Sequence, residues 1–208
     1  MNLLKEERRL WEKGFDIIAC LDESGRGPLA GPVIASAVTV EKNSTKKDFE
    51  FFRELRDSKK MSSRKREEIF KKIISHPKIE WGIGRVSEKV IDKINILQAT
   101  KLAMERALKN LEKKLKKRVD FLIIDGNFKI NSKVSQKPIV KADEKVFSCV
   151  MASIIAKVKR DKLMLKYHKK YPQYGFDKHK GYPTKYHKEV IKKQGACKLH
   201  RKTFRGVK

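Results

Sequence analysis

The chain has 208 residues, with 52 lysines and arginines against 25 aspartates and glutamates, which leaves a formal charge of +27. That length suits one domain with a substantial core, and so large a positive excess opposes compaction by self-repulsion, so a polyanionic partner is indicated, with a lysine-rich solvated surface as the plainer alternative. Cys20, Cys149 and Cys197 are odd in number, widely spaced and without a C-x-x-C pair, and no apolar run reaches membrane-spanning length, which excludes a disulfide framework, a zinc knuckle and a membrane anchor and points to the reducing cytoplasm.

Met1 to Trp11 is a charged amphipathic helix candidate rather than a signal peptide. Phe15 to Leu21 is a short run rich in strand formers, and Val33 to Val40 reads as a second strand. Between them, Leu21-Asp22-Glu23-Ser24-Gly25-Arg26-Gly27-Pro28 joins two adjacent carboxylates to a glycine turn beside an arginine. Neighbouring side chains of a regular strand point to opposite faces, so Asp22 and Glu23 are expected to converge only if the backbone leaves strand geometry there. A dinucleotide fingerprint would need a helix straight after the glycines, and the strand formers from Val33 to Val38 exclude it. An ordinary hairpin turn with a solvated acid pair is the bland alternative.

Asn43 to Ser63 is basic and polar and reads as a loop with some helix. Arg64 to Ser75 places Ile69, Phe70, Ile73 and Ile74 on one helical stripe, and Ile79 to Val86 is a strand containing Trp81. Ser87 is an N-cap candidate for a helical stretch, and Asn95 to Leu115 continues in strong helical pattern. Val119 to Ile124 is the clearest buried strand and ends in Asp125-Gly126; Glu144 to Tyr171 is a long helix whose apolar face includes Val146, Phe147 and Val150, with Asp143 just ahead of it. Two strands followed by strands alternating with helices imply a mixed sheet flanked by helices.

Standing alone, Asp125 is a turn residue and Asp143 a helix N-cap. With Asp22 and Glu23, in a chain poor in acids, they form a constellation. The chain resembles the type 2 ribonuclease H family, specifically ribonuclease HII, from about residue 15 to 205. The resemblance rests on Leu21 to Val33, Asp57-Ser58-Lys59-Lys60-Met61-Ser62, Ile94 to Thr100, Asp125-Gly126, Lys141-Ala142-Asp143, Ala152 to Asp161, His179-Lys180-Gly181-Tyr182-Pro183-Thr184 with His187, and His200 to Phe204. Ser24, Pro183 and Thr203 depart mildly from the family's usual residues, and none is a carboxylate.

The resemblance implies an α/β fold, a ribonuclease H-like mixed β-sheet flanked by helices with a C-terminal helical extension. Residues 1–208 would be a single catalytic domain, of which about 165–208 is a substrate-binding extension. It implies an endonuclease that hydrolyses the RNA strand of RNA/DNA hybrids and cuts at single ribonucleotides embedded in duplex DNA, leaving 5′-phosphate and 3′-hydroxyl ends. By matching motifs, Asp22, Glu23, Asp125 and Asp143 are the catalytic and metal-binding carboxylates. Two divalent ions would set +4 against their −4, and oxygen-only ligands favour Mg²⁺ or Mn²⁺; without ions, carboxylates so gathered should have raised, coupled pKa values.

Gly25, Arg26, Gly27 and Tyr182 would recognise the ribonucleotide junction, and Lys59 and Lys180 would join the other lysines and arginines of Asp57 to Arg66 and Lys157 to Lys202 in holding phosphates. His168, His179, His187 and His200 show no pair at metal spacing and are either phosphate contacts or structural. The rival readings are a ribonuclease HIII-like hybrid nuclease, for which the short stretch ahead of the first strand leaves no room for the extra N-terminal domain, a transposase or resolvase of the same superfold, and a non-catalytic nucleic-acid-binding module, which leaves the carboxylates unexplained. A monomer is expected, because no heptad or other assembly signal is present.

Overall fold

Five runs of strand-forming residues build one sheet, described here by a computed structural model covering residues 4–49, Leu55 and 61–207. The strands are β1 (Ile18–Ser24), β2 (Val33–Val40), β3 (Ile79–Val86), β4 (Phe121–Asp125) and β5 (Ser135–Ile139), in the order β3-β2-β1-β4-β5. β2 runs antiparallel to both its neighbours, β3 and β1, whereas β1, β4 and β5 run parallel, which gives the expected mixed sheet. The helices are α1 (Lys5–Glu12), α2 (Ser63–Ile74), α3 (Glu88–Leu115), α4 (Ala142–Lys145), α5 (Phe147–Lys170), α6 (Phe176–His179) and α7 (Lys185–Gln194). Every residue of β2 is buried, because helices cover both faces of the sheet and remove any need for polar alternation.

The alternation in β1 sorts the two cores. Ala19 and Leu21 pack with Met104, Ala107 and Leu111 of α3, whereas Cys20 packs with Val150, Ile154 and Val158 of α5 and with Ile69 and Ile73 of α2. α3 lies close enough to β3 that only glycine fits beneath it: a Cβ on Gly84 would sit 1.9 Å from the Ala103 carbonyl oxygen, and one on Gly82 2.3 Å from that of Ala107. Gly84→Ala should therefore lower unfolding stability by about 3 kcal/mol, the upper range for overpacking, as read by urea denaturation. Stability equal to the wild type would show that α3 can retreat from the sheet without cost.

The third cluster belongs to the C-terminal segment, where Tyr174, Phe176, Val190, Ile191, Leu199 and Val207 pack on Leu29 and Ala30 from the turn after β1. Asp92 of α3 anchors the same segment, accepting from the Lys202 and Thr203 amides at 2.9 and 3.0 Å. Among the described residues, no helix is long and apolar enough to cross a membrane.

Several local expectations are corrected. β1 does not end before the acid pair: Asp22 and Glu23 are regular strand residues paired opposite Ser36 and Ala35. β5 was not anticipated, because Ser-Gln-Lys-Pro-Ile has little apolar character; as an edge strand it tolerates Pro138. The long helix after Asp143 is two helices, divided at Val146, whose φ of −114° and ψ of 125° are extended. Asp143 lies in the first turn of α4, behind a left-handed Lys141 that takes the N-cap position. Ser87 occupies the N-cap of α3 without a side-chain cap hydrogen bond, while Ser62 caps α2 by accepting from the Lys65 amide at 3.2 Å. Within α3, Asn95 breaks the helix at φ 65° and ψ 169° and restarts it, its Oδ1 accepting from the Gln98 amide at 3.1 Å. The Asp57 to Lys60 motif, with Lys59, lies outside the described residues.

Candidate active site

The parallel register Leu21↔Ile124 sets Asp22 beside Asp125 at the end of β4. By strand alternation Asp22 shares the face of Cys20 and Glu23 the opposite one, yet both sense the charge of Asp125, the last residue of β4. Asp125 Oδ1 accepts from the Ala142 amide at 2.6 Å, which brings α4 and hence Asp143 to the same place; the charge of Asp143 acts on Asp22 as well. The sheet end thus gathers the four carboxylates without the departure from strand geometry that the sequence suggested.

Asp22 is only 4% exposed, and burial, followed by the charges of Glu23 and Asp125, drives its pKa well above the ordinary carboxylate value. Burial also raises Glu23, from 4.5 to about 7, even though Arg26 approaches to 3.5 Å and opposes the shift; Asp125 adds to it. The expected raised and coupled titration is therefore present at these two residues. Because the folded protein holds the Glu23 proton more tightly than the unfolded chain does, the metal-free protein loses stability as pH rises from about 4.5 through about 7. In EDTA, the thermal midpoint should fall between pH 5 and pH 8 by more in the wild type than in Glu23→Gln. Parallel pH curves for the two proteins would remove the burial strain from Glu23.

Next to the acids, the glycine turn is held from inside by two buried arginines. Gly25 has φ +104°, and a Cβ there would lie 2.2 Å from Arg160 Nε. Arg160 donates to the carbonyls of Pro32 and Ala30 at 3.1 and 3.2 Å; Arg201 donates to those of Gly31, Arg26 and Gly25 at 2.9, 2.9 and 2.6 Å. Both side chains are fully buried. Burial, with the neighbouring Arg160 guanidinium, pushes Arg201 down to about 9. The C-terminal segment adds backbone clamps: Leu29 N–H donates to Gly181 and Gly31 N–H to Leu199, each at 2.8 Å, and Leu29 accepts from Arg201 N–H at 2.8 Å.

These clamps carry Tyr182 to the turn. Its ring edge lies 3.7 Å from where a Cβ on Gly27 would be, and it remains 41% exposed. Lys157 and Arg160 place their cationic heads 5.9 Å from its ring centroid. Glu23, Asp143, the Gly25–Gly27 turn and Tyr182 line one cleft of about 360 Å³, together with Arg66, Ser153 and Lys157.

The structure therefore brings together the four carboxylates, Gly25, Arg26, Gly27 and Tyr182. It does not bring Lys180 to the cleft: that residue adopts a left-handed conformation, and its ammonium donates to the Asp177 carbonyl. Of the histidines, His187 and His200 are buried at 0% and 2% and hydrogen-bonded to each other, which makes them structural; His168 is 3.2 Å from Asp177. Arg66 and Lys157, expected only as members of phosphate-tracking segments, line the cleft with Ser153, whereas Arg160 and Arg201, expected in the same role, are instead buried supports of the turn. A signal for Arg160 existed: Ala156, Arg160 and Met164 follow at i, i+4 and i+8 along a stripe that is wholly buried, where a cation needs a reason.

The sequence matches the Ribonuclease HII family over residues 19–207. It is 46% identical over 207 residues to the ribonuclease HII of Endomicrobium trichonymphae, covering 99% of this chain and 93% of that protein. In three dimensions it is similar to the ribonuclease H2 of Pyrococcus horikoshii OT3, with a TM-score of 0.71 and 26% identity over 92% of this chain and 95% of that one. A Bst ribonuclease HIII in complex with Mn²⁺ shares the fold, with a TM-score of 0.72 at 16% identity, over 92% of this chain and 68% of that one.

Proposed function

Since the chain belongs to the ribonuclease HII family and is an endoribonuclease of the ribonuclease H class acting on RNA/DNA, we propose that Asp22, Glu23, Asp125 and Asp143 hold its divalent ions and that the Gly25–Gly27 turn with Tyr182 reads the ribose at the cut. The observation that supports this most is the cleft that Glu23, Asp143, the bare turn and the exposed Tyr182 line together, with Asp22 and Asp125 adjoining at the sheet end.

The donor set suits Mg²⁺ or Mn²⁺. It consists of hard carboxylate oxygens, and Glu23 Oε2 is buried there with no hydrogen-bond partner. Among the described residues, no three acidic, histidine or cysteine side chains already form a ligand group around one point. Asp22 Oδ1 takes the Glu23 amide at 2.6 Å, Asp125 Oδ1 the Ala142 amide at 2.6 Å and Glu23 the Arg26 guanidinium at 3.5 Å. When bound, a pair of ions supplies activation of water and charge neutralisation at the leaving oxygen.

The remaining work falls to the chain itself. Arg26, Arg66 and Lys157 hold phosphates along the cleft and supply affinity without sequence preference. Gly25 and Gly27 present backbone, without side chains, to the 2′-hydroxyl that distinguishes ribose from deoxyribose. Tyr182 packs on the sugar that follows, at the RNA-to-DNA step. In the hydrolysis a water oxygen bonds to phosphorus as the bond to the 3′ oxygen breaks; water gives up a proton and the 3′ oxygen gains one, which leaves 5′-phosphate and 3′-hydroxyl ends. Residues from about 165 onward act as the substrate-binding extension, a reading supported by their clamps on the turn. The enzyme is read as a cytoplasmic monomer.

Tyr182→Ala tests the assignment. Loss of one aromatic stacking contact of about 1–3 kcal/mol should slow cleavage of a DNA duplex carrying one ribonucleotide by about 10- to 100-fold. Continuous hybrid should be cut at nearly the wild-type rate but with less positional preference, because each ribose offers the turn the same hydroxyl. Unchanged cleavage at the single ribonucleotide, by protein of unchanged melting temperature, would leave junction reading to the turn alone.

A further inference from the structure

His187 and His200 stand in a hydrogen-bond chain whose direction is fixed at both ends. At one end His200 Nδ1 lies 2.9 Å from the Cys197 amide, which can only donate, and 3.3 Å from the Cys197 carbonyl; the shorter contact, and the Tyr182 carbonyl at the other end of the chain, require that this nitrogen accept and carry no proton. His200 is then neutral, with its proton on Nε2. That proton points at His187 Nε2, 3.0 Å away, which must accept it. His187 in turn is left with its proton on Nδ1, 2.9 Å from the carbonyl of Tyr182, an acceptor only. The whole chain therefore runs from Cys197 N–H through His200 and His187 to Tyr182, with every donor and acceptor matched. Burial lowers both imidazoles, His187 to about 4, in keeping with two neutral rings.

We propose that His187 and His200 are positioning residues for Tyr182, fixing through this one-way chain the backbone from which its ring reaches the Gly25–Gly27 turn. The inference rests on the reading of Tyr182 as the junction-reading residue. Other contacts fix the neighbouring peptide groups: Tyr182 N–H donates to His179, and Thr184 N–H donates to the same Tyr182 carbonyl, each at 2.9 Å. Those two bonds close local turns. The Leu29 amide already ties the residue before the tyrosine, Gly181, to the turn; the histidine chain adds a second tie, from the Tyr182 carbonyl to the segment around Cys197, which itself hydrogen-bonds the turn through Leu199 and Gly31 at 2.8 Å. Tyrosine and turn are thereby set in one frame, so that the 3.7 Å approach at Gly27 does not drift.

The test is a matched pair of variants. His187→Asn keeps an amide N–H near the Nδ1 position, facing the Tyr182 carbonyl; His187→Gln moves the polar group out to the Nε2 position and withdraws that donor. Each removes an aromatic ring from the same buried place, so any general loss of stability is shared. The quantity read is the ratio of kcat/KM on a single-ribonucleotide duplex to that on continuous hybrid. His187→Asn should keep the ratio within about threefold of wild type, and His187→Gln should lower it by about tenfold, the effect of one misplaced buried hydrogen bond. A purely structural role would lower both rates together and leave the ratio unmoved. If both variants fold poorly, His200→Asn serves, since it retains an acceptor for Cys197 and withdraws the donor from His187; it too should lower the ratio. Equal ratios in Asn and Gln variants, or an unmoved ratio in His200→Asn, would overturn the chain. Tyr182→Ala measured alongside separates the two readings: if it spares the single-ribonucleotide duplex, the reading of Tyr182 falls and this one with it, whereas an impaired Tyr182→Ala beside an unaffected His187→Gln removes only the chain.

Discussion

Purified Asp125→Asn protein should cut a duplex containing one ribonucleotide about 10³-fold more slowly than wild type, or worse, while binding that duplex as tightly or more tightly. The substitution changes charge and almost nothing else. Asn retains an oxygen to accept from the Ala142 amide, so the contact that brings α4 to the sheet end survives. What is lost is one anionic ligand in a site where the ions contribute several kcal/mol of transition-state stabilisation. Binding has no reason to weaken, because Arg26, Arg66 and Lys157 still line the cleft and one negative charge facing the phosphates has gone. Single-turnover rates in Mg²⁺ and in Mn²⁺, with dissociation constants measured in EDTA, check both halves. Turnover near the wild-type value would end the assignment of Asp125 as a metal ligand.

Arg201→Met should be as damaging to activity by a different route, since it dismantles the turn and leaves the acids in place. The guanidinium is fully buried and supplies donors to the carbonyls of Gly25, Arg26 and Gly31 at once. Methionine fills much of the space and supplies none. Breaking a buried, hydrogen-bonded charged group costs about 3–5 kcal/mol, which at this chain length is a fall of about 10 °C in melting temperature. Cleavage of the single-ribonucleotide duplex should fall below that of Tyr182→Ala, because the turn that meets the 2′-hydroxyl is itself released. Arg201→Lys should recover little, since one ammonium lacks the planar fork that spans three carbonyls. A melting temperature within about 2 °C of wild type would show that the turn holds its shape without the arginine.

Much of this architecture was legible in the sequence where a period was long enough to read. β2 and β3 have the bounds that their apolar runs indicated, and the stripe of Ile69, Phe70 and Ile73 faces the core as expected. That Asp22, Glu23, Asp125 and Asp143 would meet was legible because acids are scarce in a chain of charge +27 and each follows an apolar run or precedes a helical one. Failures came where local pattern and tertiary contact diverge. β5 forms because β4 offers it an edge, not because its own residues demand a strand. Val146 carries an apolar side chain that fits the helical stripe on either side, and nothing in that stripe reveals that its backbone is extended. Arg160 and Arg201 looked like phosphate-facing members of basic segments, because their partners are carbonyl oxygens near residues 25 to 32, and a backbone acceptor leaves no mark in composition. Lys180 was the converse case: its place beside Tyr182 suggested substrate, while its left-handed backbone turns the side chain to a neighbouring carbonyl.

The hydrogen bond from Arg201 to Gly25 spans 176 positions of the chain. On the ribosome, the glycine turn emerges long before its interior support is made. The strands up to Asp125 can pair, and the acids can assemble, while the turn beside them still has no guanidinium behind its carbonyls. Contacts of such separation also form slowly after synthesis, since a long loop must close before they contribute. A nascent chain therefore passes through a stage with its sheet end formed and the turn beside it unsupported, and that turn is completed only when translation has delivered Arg201.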